Sequence, residues 1–339
     1  MNIGWIIGGV IGSFVISALI GKWLVPFLRK VHFGQTILED GPKWHKKKQG
    51  TPTMGGFMFI IASVVTTLLC VLLFSYFTTE SQLKNDVGKV IAGVLMAAAY
   101  GAVGFIDDYI KVVKKRNLGL TAKQKLVLQF LIAIAYLGTL YLLGTPSVVL
   151  IPYFGHYDIG IFYWILSAVF IVGIVNAVNL SDGIDGLVGS MSFFSALAFM
   201  LLASVMKTQS SGIMASALAG SCLGFLLWNF NPAKVFMGDT GSLFLGGYLC
   251  ALAFAVNLPI LLVIIALPYI IEMLSVVLQV AYFKLTHGKR LFKMSPIHHH
   301  FEMCGWSEVK IVSVFSVFTA ACGIIAVLVA IFGLDLIAS

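Results

Sequence analysis

The sequence predicts an all-α integral membrane protein with ten transmembrane helices, both termini outside and the active site on the cytoplasmic face. Three observations lead there. Of 339 residues, 59% are hydrophobic and only 11% charged, where soluble domains carry about 25% charge and disordered chains have low hydrophobicity. The apolar residues gather into runs near the roughly 20 residues that a helix needs to cross the hydrocarbon core. The basic residues concentrate in alternate loops between those runs.

The runs, in order, are Ile3–Leu28, Met54–Phe77, Val90–Ile106, Leu126–Leu143, Ile159–Val178, Leu187–Met206, Ile213–Phe230, Leu243–Asn257, Pro259–Phe283 and Ile311–Leu334. The first has no basic residue ahead of it, which fits a retained span rather than a cleaved signal. The eighth is short, and only the breaker pair Asn257 and Pro259 divides it from the ninth. Of the 22 Lys and Arg, only Lys84, Lys89 and Lys207 fall in even-numbered loops, and Lys22 sits in a span. The rest lie in odd-numbered loops, which the positive-inside rule places in the cytoplasm. The net charge of +8 is thus a topology signal and not a nucleic-acid surface. Five cysteines without close-spaced pairs read as small buried hydrophobes, not as disulfides or a zinc site. No repeat divides the chain, so residues 1–339 form a single polytopic domain.

Only 14 carboxylates are present, and five aspartates fall at the cytoplasmic ends of apolar runs. A charge there is costly unless it pairs, reaches water or binds a metal. Asp107 and Asp108 close the third run, and Asp107 shares a helix face with Lys111. They are either a helix-end pair balanced by lysines or a Mg²⁺–phosphate site, since Mg²⁺ takes carboxylates and substrate phosphates. In NAVNLSDGIDGL, Asn176, Asn179, Asp182 and Asp185 recur every third residue, while Gly183 and Gly186 argue against continuous helix and open the backbone to a ligand. In NFNPAKVFMGDTGS, Asp239 is either a polar turn with an N-cap or a third metal or phosphate ligand. His298, His299 and His300 match no zinc spacing. They read as a solvated loop, or as phosphate contacts and proton carriers. Lys48 with the Gly/Thr stretch after it can hold phosphate. Glu272, deep in the ninth run beside Pro268, has no role that the sequence assigns. Together, acids from three loops with Lys and His suggest a Mg²⁺–phosphate site at the membrane surface, acting on one lipid substrate.

The segments DGPKWHKKKQGTPTMGG, DDYIK, NAVNLSDGIDGL, FMGDTGS and PIHHHFE closely resemble, in order, those of the phospho-N-acetylmuramoyl-pentapeptide transferases. These are bacterial translocases I within the polyprenyl-phosphate hexosamine-1-phosphate transferase superfamily. The resemblance implies transfer from UDP-N-acetylmuramoyl-pentapeptide to undecaprenyl phosphate, giving lipid I and UMP for peptidoglycan synthesis. It also implies a multi-pass homodimer in the bacterial cytoplasmic membrane. Carried over by position, Asp239 resembles the Mg²⁺ ligand, and Asp107 and Asp108 the catalytic pair, with Asp107 the base towards the lipid phosphate. Asn179, Asp182, Asp185 and Phe236 resemble nucleoside-binding groups. Lys48, Thr53, Lys111, Lys125 and His298 resemble groups around the donor diphosphate. Asn176, Asn229, His299 and His300 join the expected substrate-binding set.

A phosphate monoester with a second pKa of about 6 is largely dianionic at cytoplasmic pH, so its oxygen needs little help from a base. Direct attack by the lipid phosphate is therefore favoured over a covalent aspartyl-phosphate. Two rivals remain. A sister transferase would use UDP-N-acetylglucosamine, and the first-loop and PIHHHFE segments argue against it. A secondary transporter would place its acids near the bilayer midplane, not at one surface.

Overall fold

The small and polar residues of the first helix, α1 (Ile3–Lys30), face inward and its large apolar ones face out. Gly9, Ser13, Ser17 and Gly21 are buried at four-residue spacing, while Ile3, Ile7, Ile11, Val15, Leu19, Trp23 and Phe27 are exposed at the same spacing. Water would select the reverse pattern; lipid selects this one, because small residues let helices close in where the solvent is itself apolar. The computed structural model describes residues 2–31, 48, 50–78, 83–113 and 118–338. Within the first-loop motif, the DGPKWHKK segment and Gln49 lie outside the described residues.

The inward stripe of α1 packs on α7 (Gln209–Asn229). Ser17 donates to the carbonyl of Ser221 at 2.9 Å and Trp228 Nε1 to that of Ala18 at 3.2 Å. The other long helices are α2 (Phe57–Phe77), α3 (Leu83–Val113), α4 (Ala122–Leu142), α5 (Ile161–Leu180), α6 (Leu187–Val205), α8 (Gly238–Ala255), α10 (Leu267–Leu285) and α12 (Glu308–Ala338). Short helices α9 (Leu262–Ile265) and α11 (Ile297–Met303) flank α10. Among the described residues, nine helices are long and apolar enough to cross a membrane. The long helix outside that set is α8, whose first turn, GDTGS, is polar.

α8 is the axis of the bundle and is buried from Thr240 to Ala255. α3 lies along it through a seam of small residues. A Cβ on Gly93 would stand 2.7 Å from Cβ of Ala251, one on Gly247 would stand 3.2 Å from Cα of Ala97, and one on Gly104 would overlap the carbonyl oxygen of Asp239. The seam fixes both the rotation and the height of α8 against α3. α5 closes on the opposite side, where Gly246 meets Val175.

The third apolar run lies within a longer helix: α3 continues past Ile106 to Val113, so Asp107, Asp108 and Lys111 are helical, as their shared face requires. Two sequence expectations need correction. The ninth run, expected as one span over Pro259–Phe283, is broken. A 3₁₀ turn at Pro259–Leu261 and the four-residue α9 precede α10, which begins with Pro268 in its first turn. Both prolines lack the N–H that a continuous helix would use. The chain is also not wholly α. β1 (Val148–Ile151) and β2 (Gly155–Asp158) pair antiparallel between α4 and α5, with Val148 opposite Asp158. The β-branched VVLI run before Pro152 and Gly155 suits that hairpin.

Gly104→Ala tests the seam. Its methyl group meets backbone, not a flexible side chain, so α3 and α8 must separate. The expected loss is about 1–3 kcal/mol, the usual range for overpacking, read as a lowered thermal midpoint in detergent. An unchanged midpoint would show that the helices have slack.

Candidate active site

Asp108 anchors the site. It is 4% exposed and projects from α3 onto the free N–H groups of the first turn of α8. Those groups have no partner within their own helix. Its Oδ1 accepts from the N–H of Asp239 at 3.2 Å. Its Oδ2 accepts from the N–H of Thr240 at 2.9 Å and from Thr240 Oγ1 at 2.7 Å. Asp108 thus caps α8 from a neighbouring helix and sets the position of Asp239. Gly238, at φ +71°, has no room for a Cβ, which would lie 2.5 Å from Asp108 Oδ2 and 2.6 Å from Thr53 Oγ1. Thr53 is therefore beside the cap. Its segment is tied there by backbone bonds: Phe236 N–H to Pro52 O and Gly55 N–H to Phe236 O, both 2.8 Å.

Asp107, 3% exposed, joins the same cluster through different partners. The N–H of Leu120 donates to its Oδ1 at 2.7 Å, and Lys111 Nζ is 2.6 Å from its Oδ2. This is the face-sharing pair expected from the sequence. Lys111 also reaches Asp239 Oδ2 at 3.1 Å, and Lys125 reaches the same oxygen at 2.8 Å. Lys125 sits in the first turn of α4, which starts with a capping box between Thr121 and Gln124. Asn179 Nδ2 donates to Asp239 Oδ1 at 3.0 Å and to Ser242 Oγ at 2.8 Å. One oxygen from each of Asp107, Asp108 and Asp239 lies within 4.8 Å of the others. This all-oxygen donor set suits a hard cation such as Mg²⁺ and contains none of the soft ligands that zinc or copper would favour. Asp108 is held by backbone N–H groups and Thr240 of α8, whereas Asp239 and Asp107 are balanced by the side chains of Lys111 and Lys125, which an arriving cation could replace.

A second cluster surrounds Lys48, whose Nζ is 2.7 Å from Asp185 Oδ1 and 2.6 Å from Glu308 Oε2. Asp185 Oδ2 also accepts from the N–H of Ala233 at 2.9 Å. A cavity of about 390 Å³ opens beside Glu308, lined by Asn231, Glu302 and Trp306 among others. The turn 181–186 joins the clusters. It is not helical, and Gly186 takes φ +81°, as the glycine spacing predicts. Burial, then the charges of Asp239, Asp108 and Asp185, push the Asp182 carboxyl well above the ordinary range. α11 packs on this turn, because a Cβ on Gly183 would overlap His298 Nε2 and stand 3.0 Å from His299 Nε2.

Not every expected residue joins these clusters. Asn176 is engaged in a reciprocal amide pair with Gln129, at 2.7 and 3.3 Å. Asn229 accepts from the N–H of Gly186 at 3.0 Å and donates to Val235 O at 2.9 Å, bracing two loops. Phe236 sits partly exposed between the Thr53 segment and α8. His299 pairs with Glu302 at 2.6 Å, and His300 Nδ1 accepts from the N–H of Lys293 at 3.1 Å. The sequence reading missed Glu308, Asn231, Thr240 and Ser242 as site residues. Glu308 alone carried a signal, as an acid among the basic residues of the ninth loop.

The family described as glycosyl transferase family 4 matches residues 90–257, from early α3 through α8. Proteins named phospho-N-acetylmuramoyl-pentapeptide-transferase align along nearly the whole chain. That of Heliobacterium modesticaldum is 46% identical over 312 residues, 90% of this chain and 93% of its own. Those of Bacillus licheniformis and Bacillus subtilis are each 47% identical over 307 residues, 90% of this chain and 92% of theirs.

Asp108→Ala should destabilise the protein by about 0.5–2 kcal/mol as a lost cap, and by more because the freed N–H groups are buried. Asp108→Asn keeps an acceptor oxygen and should cost much less. Denaturation of the two variants in parallel measures the difference. Equal midpoints would remove the capping role.

Proposed function

The chain belongs to the phospho-N-acetylmuramoyl-pentapeptide transferases, which serve peptidoglycan synthesis, and from this premise we propose its substrates, metal and topology. The donor is UDP-N-acetylmuramoyl-pentapeptide, the acceptor is undecaprenyl phosphate, and the products are lipid I and UMP. The observation that carries this reading is the cluster of Asp107, Asp108 and Asp239 with Lys111 and Lys125. It lies where α3, α4, α5 and α8 meet, at the end where the basic loop between α3 and α4 departs.

The nine apolar helices, with α8 as the tenth span, give ten crossings. The alternation of Lys and Arg argues for external termini and a cytoplasmic site. The protein would then be one polytopic domain in the bacterial cytoplasmic membrane, working as a homodimer.

Asp239 is the Mg²⁺ ligand in this scheme, with Asp107 beside it, and the ion when bound neutralises phosphate oxygens and stabilises the leaving UMP. The chain's own residues do the rest. Lys111 and Lys125 already balance Asp239, and they lie close enough to shift towards incoming phosphate oxygens. Asp107, held by Leu120 and Lys111, faces the acceptor and takes up any proton left on its phosphate. An acceptor oxygen attacks the phosphorus that bears the sugar, and the bond from that phosphorus to the oxygen shared with UMP breaks. Asp182 can accept a hydrogen bond from the nucleoside. With Asp185, Asn179 and Phe236 it forms the nucleoside side of the site, and Lys48, Thr53 and His298 border the diphosphate.

Purified protein with undecaprenyl phosphate and Mg²⁺ should release UMP from UDP-N-acetylmuramoyl-pentapeptide and not from UDP-N-acetylglucosamine. The opposite selectivity would assign the sister reaction, and release from neither would defeat the transferase reading. Asp239→Asn should lower turnover about a hundredfold or more and weaken Mn²⁺ binding measured by electron paramagnetic resonance, with the thermal midpoint kept. Near-normal turnover at saturating Mg²⁺ would remove Asp239 from the metal site.

A further inference from the structure

Glu272 lies in the first half of α10 and is 0% exposed, as is His298 on α11. The two meet although the loop 286–296 separates their helices. Glu272 Oε2 is 3.0 Å from His298 Nδ1 and accepts from the N–H of His298 at 3.4 Å. One carboxylate oxygen thus holds both the ring and the backbone at the start of α11. Where Nδ1 donates to this carboxylate oxygen, a ring carrying a single hydrogen keeps its lone pair on Nε2. That Nε2 is buried without a hydrogen-bond partner among the described residues. It lies against Gly183, where a Cβ would overlap it. Gly183 belongs to the turn that carries Asp182 and Asp185. An unpartnered polar atom in such a place is costly to keep, and a buried carboxylate spent on aiming it doubles the cost.

We propose that Glu272 is a positioning residue. It locks His298 in the orientation and tautomer that present Nε2 to an N–H or O–H group of the nucleotide-sugar donor on the Asp182–Asp185 turn. The inference rests on the donor reading above. It gives a function to the intramembrane acid that the phosphoryl-transfer chemistry leaves unused. Removing the partner that orients a functional imidazole typically costs about ten- to a hundredfold.

Three variants in the full-length protein test it, with ¹⁵N-histidine spectra to read the tautomer and UMP release to read the kinetics. Glu272→Gln keeps an acceptor for Nδ1–H and should hold the tautomer and most of the activity. Glu272→Met should release the tautomer and raise the donor KM about tenfold or more, leaving the acceptor KM unchanged. His298→Asn keeps an amide donor to Glu272 but has no Nε2. It should fold normally and show the same donor-specific defect, so the test survives if Glu272→Met does not fold. Wild-type donor KM in His298→Asn, or an unchanged tautomer in folded Glu272→Met, would overturn the proposal. The spectra need no substrate, so they judge the positioning role even if the wild-type protein releases no UMP and the donor reading itself fails.

Discussion

The capping of α8 by Asp108 is the contact on which the site depends. A helix entering a membrane bundle brings several N–H groups that cannot find partners inside it. Lipid offers none. Here the adjacent helix supplies a carboxylate at the right height, and the supply works only because α3 and α8 touch at Gly104. Two neighbouring aspartates then divide the labour. Asp108 is turned into the protein and fixes geometry, while Asp107, one residue earlier, faces the lysines. The metal-ligand candidate Asp239 has its place because its own N–H is held by Asp108.

A similar device recurs at α11, where a carboxylate from α10 takes the N–H of His298 near the start of the helix. In both cases an acid in the apolar region is balanced by backbone dipoles and a directed side chain rather than by a simple ion pair. The cations, by contrast, are shared. Lys111 and Lys125 both touch Asp239, and Lys48 lies between Asp185 and Glu308. Such shared lysines hold the acids together without saturating them.

Much of this was legible in the sequence because composition and periodicity are local. The apolar runs located most helices to within a few residues, with α3 longer than its run at both ends and the ninth run broken, and the four-residue offset of Asp107 and Lys111 gave their pairing. The DGIDG glycines marked the break in the helix. What was not legible depends on contacts between distant segments. Asp107 and Asp108 are identical letters, and only the approach of α8 separates their roles. Asp239 read as a turn residue because the helix start lies five residues before its first large apolar residue. Glu272 read as isolated because its partner His298 lies beyond the loop that follows α10. The hairpin of β1 and β2 was hidden by an apolar run too short to be told from a helix end.

α8 has the fewest credentials as a membrane helix and the most central position. Its polar first turn keeps it out of the set of helices that qualify on length and apolarity alone. Its neighbours therefore supply what lipid would not, through the α3 seam and the α5 contact. α8 depends on its neighbours more than any helix that faces lipid. Since Asp239 rides on α8, the acidic cluster of Asp107, Asp108 and Asp239 comes together only where α8 is seated against α3.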